Sequence, residues 1–154
     1  MLAAGPAGVR SRLDPLLGAV GSATTWYDEV GEASRLKLVL NTWLLGLLGA
    51  LADAVRLAEL LDVDPARFLT AIDGAPIGSP YAQLKGTAMT AGEYPAAFPL
   101  AMAAKDAGLV RAAVAHAGGE LGLADAMAAL LDRAADAGLG DQDMAAVVEV
   151  LRRS

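Results

Sequence analysis

Apolar residues recur along most of this chain at spacings of three and four, the period of a helix with one buried face. No run alternates in the way a half-buried strand does. Pro6 to Val20 reads as a first amphipathic helix, with Val9, Leu13, Leu16 and Leu17 on one side and Arg10, Arg12 and Asp14 elsewhere. Pro15 interrupts it or sets a new first turn. Residues 21–27 form a polar and aromatic connector with room for a short extended piece. The longest element then runs from about Glu32 to Leu61, with no proline inside and with Gly46 and Gly49 three apart. Its centre is apolar on every side, which predicts burial on every side. Gly46 and Gly49 predict close approach of another helix.

Helix punctuation is clear further on. Asp64 is placed as an N-cap with Pro65 at the first helical position, and that helix ends near Asp73-Gly74. Ser79 caps a further helix opened by Pro80. After a break at residues 91–95, Phe98-Pro99 starts a long helix to about Ala117. Gly118-Gly119, Gly138 to Gly140 and an N-cap at Asp141 separate the last two helices. The expectation is an all-α fold of six or seven helices around one long central helix.

Composition narrows the function classes. Of 154 residues, 55% are hydrophobic but only 5% aromatic, and 35 are Ala, which argues against a β-sandwich or barrel. The net charge of −6, with no basic cluster, speaks against a nucleic-acid partner. Zero Cys removes disulfides and thiolate chemistry and suits a reducing cytoplasm, which is the expected location. With a single His as well, no metal site is expected. The most membrane-like stretch, Leu38 to Ala52, has 15 uncharged residues. A spanning helix needs ~20, so no membrane partner is expected and a buried core helix is. Nothing at Met1 to Pro6 resembles a secretory signal.

Among motifs, GxGxxG after a strand, a P-loop, HExxH and GxSxG are all missing. Two polar pairs fall where the pattern would bury them. Lys37 and Asn41 lie at i, i+4 and so share one face of the long helix. A buried ammonium is costly and titrates lower than a solvated one, which would let Lys37 pass a proton to a carbonyl oxygen. Asn41 would hold a substrate group or orient the lysine. The same spacing also suits a snorkelling Lys beside a backbone-bonded Asn. Lys105 and Asp106 sit in an Ala- and Met-rich helix and point in different directions. They serve either as an anion contact with a helix-pinning carboxylate or as a solvated face.

Taken in order, Gly31, Lys37 and Asn41, then Phe98 with Leu100, then Lys105-Asp106, and finally Gly138-…-Gly140-Asp141-…-Asp143, resemble the C-terminal half of the β-hydroxyacid dehydrogenases. That family includes 3-hydroxyisobutyrate dehydrogenase, tartronate semialdehyde reductase and, more remotely, 6-phosphogluconate dehydrogenase. The resemblance implies a two-domain protein in which a Rossmann domain binds NAD or NADP and a helical domain completes the site. Residues 1–29 would then be a remnant of the dinucleotide-binding domain plus a connector, and residues 30–154 the substrate and dimerisation domain. Lys37 would be the proton donor or acceptor, Asn41 the substrate-binding residue and Lys105 the cofactor contact. Gly31, Phe98 and Asp106 would support them.

The implied reaction is hydride transfer between a nicotinamide and a small β-hydroxy acid, in a homodimer. Ala33 departs from the family pattern, which has a second Gly there, and Thr42-Trp43 departs where an Asn or Gln often follows. Without a Gly-rich dinucleotide turn, the 154 residues alone are expected to be inactive. Two alternatives stand beside this reading: a non-catalytic helical dimerisation module, and a domain of an imine-reductase-like enzyme. Of the remaining polar residues, His116 is expected on the surface near a helix C-terminus, and Asp132, Asp136, Asp141 and Asp143 are expected to be solvated. Met89, Met102, Met127 and Met144 are expected as core fillers.

Overall fold

The computed structural model describes residues 1–153 and divides into two compact units, Met1–Asn41 and a larger one from Thr42 onward. In the first unit, β1 (Leu2–Ala4) and β2 (Thr25–Tyr27) pair in parallel, with Ala3 opposite Trp26. Parallel neighbours require a crossover, and α1 (Ala7–Val20) supplies it. Strands of three residues are too short to show alternation; β2 falls in the connector where a short extended piece was expected, and β1 had no such signal in the pattern. Pro15 lies inside α1, and the helix continues through it. The Arg10 guanidinium pairs with Asp28 and lies 5.6 Å from the Trp26 ring centre, while Trp26 Nε1 donates to Asp14 at 2.7 Å. These contacts fasten α1 to the β2 end.

The long helix α2 (Glu32–Leu60) begins in the first unit and continues through the second. At 1.5 Å per residue it is about 43 Å long. Its buried residues are Leu45, Leu48, Gly49, Leu51, Ala52, Val55 and Ala58, a stripe on one face. The all-round burial expected from composition is therefore corrected. Trp43 is 68% exposed, and Val39, Leu40, Leu57 and Leu60 are exposed too, because the remaining helices cover one side only. Among the described residues, α2 is the one helix long and apolar enough to cross a membrane by length and composition, and 28% of its apolar window is buried.

The second unit continues with α3 (Pro65–Ile72), α4 (Pro80–Ala91), α5 (Leu100–His116), α6 (Gly122–Ala134) and α7 (Val148–Arg152). Asp64 accepts from the Ala66 amide at 2.9 Å and Ser79 from the Ala82 amide at 3.1 Å, so both predicted N-caps are in place. With few aromatic residues, the core is filled by Leu48, Val55, Met89, Leu100, Leu131, Met144, Val147 and Val148. Small residues let the helices close on one another. A Cβ at Gly49 would stand 2.7 Å from Met127 Sδ, and one at Gly86 would stand 2.4 Å from Leu69 Cδ2. Gly49 thus permits the approach of α6 to α2. Met89, Met127 and Met144 are buried as expected, but Met102 is 44% exposed because its side of α5 faces outward.

Between α6 and α7 the chain makes a π turn (Ala135–Leu139), with Gly138 at φ 82°, and then a 3-10 turn (Met144–Val147). The N-cap of that turn is Asp143, which accepts from the Ala145 amide at 3.0 Å. The expected cap, Asp141, is exposed. Two residues of offset decide this, because the apolar run that must be buried starts at Met144.

Candidate functional site

The start of α5 is capped in an unusual way, and the cap explains the C-terminal motif. Pro99 offers no side-chain acceptor to the helix, so its first amides need partners from elsewhere. Leu100 N donates to Gln142 O at 2.8 Å and Ala101 N to Gly140 O at 3.0 Å. Met144 N in turn donates to Phe98 O at 3.0 Å. The segment from Gly140 to Met144 is therefore the N-terminal cap of the helix that carries Lys105 and Asp106. Gly138 makes this possible by taking the left-handed conformation that turns the chain toward Phe98.

Asp143 is the centre of that arrangement. Its carboxylate receives two hydrogen bonds from Lys85 Nζ, at 2.7 and 2.9 Å, and the amides of Ala97, Phe98 and Ala145 at 3.2, 3.1 and 3.0 Å. Both Lys85 and Asp143 are buried. This corrects the expectation that Asp143 is solvated, and it identifies Lys85, which pattern reading passed over. Burial alone would raise the Asp143 carboxyl. The hydrogen bonds from Lys85, Ala145 and Phe98 outweigh it and hold the group below the ordinary carboxylate range. Tyr81, whose ring centre is 6.0 Å from Lys85 Nζ, is pushed up to about 12 by burial and by the Asp143 charge. Asp132, Asp136 and Asp141 are exposed as expected, and so is His116, in the last turn of α5.

A second network was likewise missed. Arg152 on α7 donates to Glu59 on α2, to Glu149 at 2.6 Å, to the Tyr94 hydroxyl at 3.2 Å and to Met89 O at 2.9 Å. The hydrogen bond from Arg152 lowers the Glu59 carboxyl against the opposing effect of burial. Tyr94 in turn donates to Glu149. Nothing in spacing announces these contacts, since Arg152 and Glu59 are 93 positions apart.

Lys37 and Asn41 lie on α2 in the first unit, one helical turn apart as expected. Lys37 is exposed, so the burial inferred from its apolar neighbours is corrected: Val39 and Leu40 beside it are exposed as well. Asn41 is half-buried. Gly31, at φ 89°, adopts the left-handed conformation ahead of Glu32, and its carbonyl accepts from the Arg35 amide at 3.0 Å. In the second unit, Lys105 is 60% exposed along its side chain, whereas Asp106 is buried. Lys105 Nζ stands 4.0 Å from Asp106 Oδ1, so the two share one charge environment while facing different media. Phe98 is 37% exposed, and its contribution to the Asp143 cap is made by its backbone.

A short parallel β-α-β unit followed by one long helix and a set of shorter ones is found over about half the length of solved 3-hydroxyisobutyrate dehydrogenases. The Salmonella typhimurium enzyme aligns with TM-score 0.88 at 24% identity, over 96% of this chain and 52% of that one. The Mycobacterium tuberculosis 3-hydroxyisobutyrate dehydrogenase, solved with L-serine, aligns with TM-score 0.86 at 25% identity, over 97% and 55%. Residues 31–151 match the family described as NAD-binding of NADP-dependent 3-hydroxyisobutyrate dehydrogenase, and the chain belongs to that family. The chloroplastic glyoxylate/succinic semialdehyde reductase 2 of Arabidopsis thaliana is 29% identical over 151 residues, 98% of this chain and 42% of the relative. The chain thus spans about half the length of the relatives it matches.

The family match supports NAD or NADP as the cofactor. Of this chain's own residues, the exposed ammonium of Lys105 fits a contact to such a polyanion. The turn from β1 into α1 does not fit as a phosphate cradle. It reads Gly5-Pro6-Ala7-Gly8, and Pro6 has no amide to offer a phosphate.

Proposed function

We propose that this chain is the helical, substrate-side part of an NAD(P)-dependent hydroxyacid dehydrogenase or semialdehyde reductase. In this reading residues 30–154 form the substrate and dimerisation domain, and residues 1–29 the end of a dinucleotide-binding domain. Lys37 would give a proton to the substrate carbonyl oxygen in reduction and remove it in the reverse direction, the bound nicotinamide being the source or acceptor of the hydride. Asn41, one turn on, binds the substrate beside it. Lys105 contacts the cofactor, with Asp106 holding its corner of α5.

The observation that carries this reading is the pairing of an exposed Lys37 with Asn41 on one face of α2, inside a family match that begins at Gly31. Because the β1–α1 turn lacks a phosphate cradle, the chain alone does not turn over substrate. Self-association belongs to the same reading: Val39, Leu40, Trp43, Leu57 and Leu60 leave α2 with apolar surface that a second copy would cover.

The substrate class follows the relatives, small aldehyde and hydroxy acids such as succinic semialdehyde. The test is a fusion in which the Arabidopsis reductase 2, up to the position aligned with residue 29, is joined ahead of residue 30. NADPH-dependent reduction of succinic semialdehyde is then measured with Lys37 and with Lys37→Ala. The lysine form should be active, and the alanine form about 10²–10⁴ slower at unchanged NADPH affinity. Equal rates in the two would refute the assignment.

A further inference from the structure

A cavity of about 340 Å³ opens between α4 and the segment after it, walled by Leu84, Ala88, Ala91 and Pro95, with Lys85 and Asp143 as its buried polar lining. The hydrogen-bond count at that lining is lopsided. Asp143 already accepts five hydrogen bonds, so it has little left to offer a guest. An ammonium carries three protons, and Lys85 directs two hydrogen bonds, both to Asp143. Lys85 therefore keeps one proton beyond its two hydrogen bonds to Asp143, on a residue that lines the cavity and whose Nζ also lies 6.0 Å from the Tyr81 ring centre.

Five of the nine lining residues are apolar and four are polar, Lys85, Thr87, Glu93 and Asp143; a largely apolar wall with a few placed polar groups is the composition of a small-molecule site. The sign of the charge also selects. Glu93 lines the cavity too, and with Asp143 it outweighs Lys85 by one negative charge, which disfavours a carboxylate or phosphate guest. The geometry points to a binding site for a small neutral carbonyl compound, a ketone or amide, whose oxygen accepts from Lys85 Nζ while its apolar body lies against Leu84, Ala88, Ala91 and Pro95. Neither Lys105 nor Asp106 lines this cavity, so the inference stands apart from the proposed reaction.

The test is an amide-resolved NMR titration of the chain with three probes of similar shape: acetophenone, ethylbenzene and benzoate. Acetophenone should give saturable shifts confined to residues 84–97 and 143. It should bind about tenfold tighter than ethylbenzene, the effect of one charge-assisted hydrogen bond, and tighter than benzoate. Ala91→Phe, which fills the cavity from an exposed position, should abolish the shifts while leaving the rest of the spectrum in place. Equal binding of ketone and hydrocarbon, preferential binding of benzoate, or no saturable shift would each overturn the proposal. The comparison of probes on the unaltered chain decides the matter even if the filled variant fails to fold.

Discussion

Lys85 and Asp143, 58 positions apart, meet through two hydrogen bonds of 2.7 and 2.9 Å and join α4 to the turn that caps α5. Breaking a buried pair from one side strands a charge and typically costs 3–5 kcal/mol. Asp143→Ala should be the more damaging change, because it also strips acceptors from the amides of Ala97, Phe98 and Ala145. Lys85→Met should cost about 3 kcal/mol, and Asp143→Ala more. Urea unfolding followed by circular dichroism ranks them, and the opposite order would show that the amide contacts contribute little.

The same carboxylate sets a pH dependence. Asp143 is held below its ordinary range in the folded chain, so the unfolded state takes up its proton first as pH falls. The stabilisation is complete above the unfolded value of about 4 and is lost as pH drops through the folded one. Glu59, lowered by Arg152, acts in the same direction. The urea midpoint should hold steady from pH 7 to 5 and decline below about 4. Asp143→Asn should be less stable at neutral pH and lose less on acidification.

Two glycines separate packing from propensity. Gly86 has no room for a methyl, with Leu69 Cδ2 2.4 Å from the position a Cβ would take, whereas Gly108 on α5 has nothing within 4 Å. Gly86→Ala should destabilise by about 1–3 kcal/mol through overpacking. Gly108→Ala should stabilise by up to about 1 kcal/mol through helix propensity alone. Thermal melts of the two variants should move in opposite directions.

Arg152 gathers Glu59, Glu149 and Tyr94 at one guanidinium. A lysine keeps the charge but not the fork, so Arg152→Lys should lose most of the coupling. A double-mutant cycle between Arg152→Ala and Glu59→Ala should return about 1–2 kcal/mol. A value near zero would place this contact with ordinary surface pairs.

The helices were legible because their punctuation is local: Asp64-Pro65 and Ser79-Pro80 announce starts that depend on nothing distant. Of the two glycines expected to allow close approach, Gly49 does so against Met127, whereas a Cβ at Gly46 would make only an ordinary 3.5 Å contact with Leu123. The short extended piece expected in residues 21–27 is β2, but its pairing with Leu2–Ala4 was not legible, since that is decided across a helix. The apolar character of α2 suggested burial, yet burial depends on what else packs there, and one face remains uncovered. Lys37, Asn41, Lys105 and Asp106 stood out as polar residues in apolar stretches, a signal that holds for the buried Asp106 and fails for the exposed Lys37. Asp143 carried a usable local signal, an acidic residue directly before Met144-Ala145-Ala146-Val147-Val148, the signature of a cap. Lys85 carried none, because its partner lies in another part of the chain.

The central claim is that this chain supplies one side of an NAD(P) site and leaves the phosphate cradle to another domain. Calorimetric titration of NADPH and NADH into the purified chain tests it most directly, with the mass in solution measured alongside. The account predicts a folded, self-associated helical protein that binds neither nucleotide at micromolar concentration. Micromolar binding to the chain alone would contradict it, because a complete cofactor site would then lie within these residues.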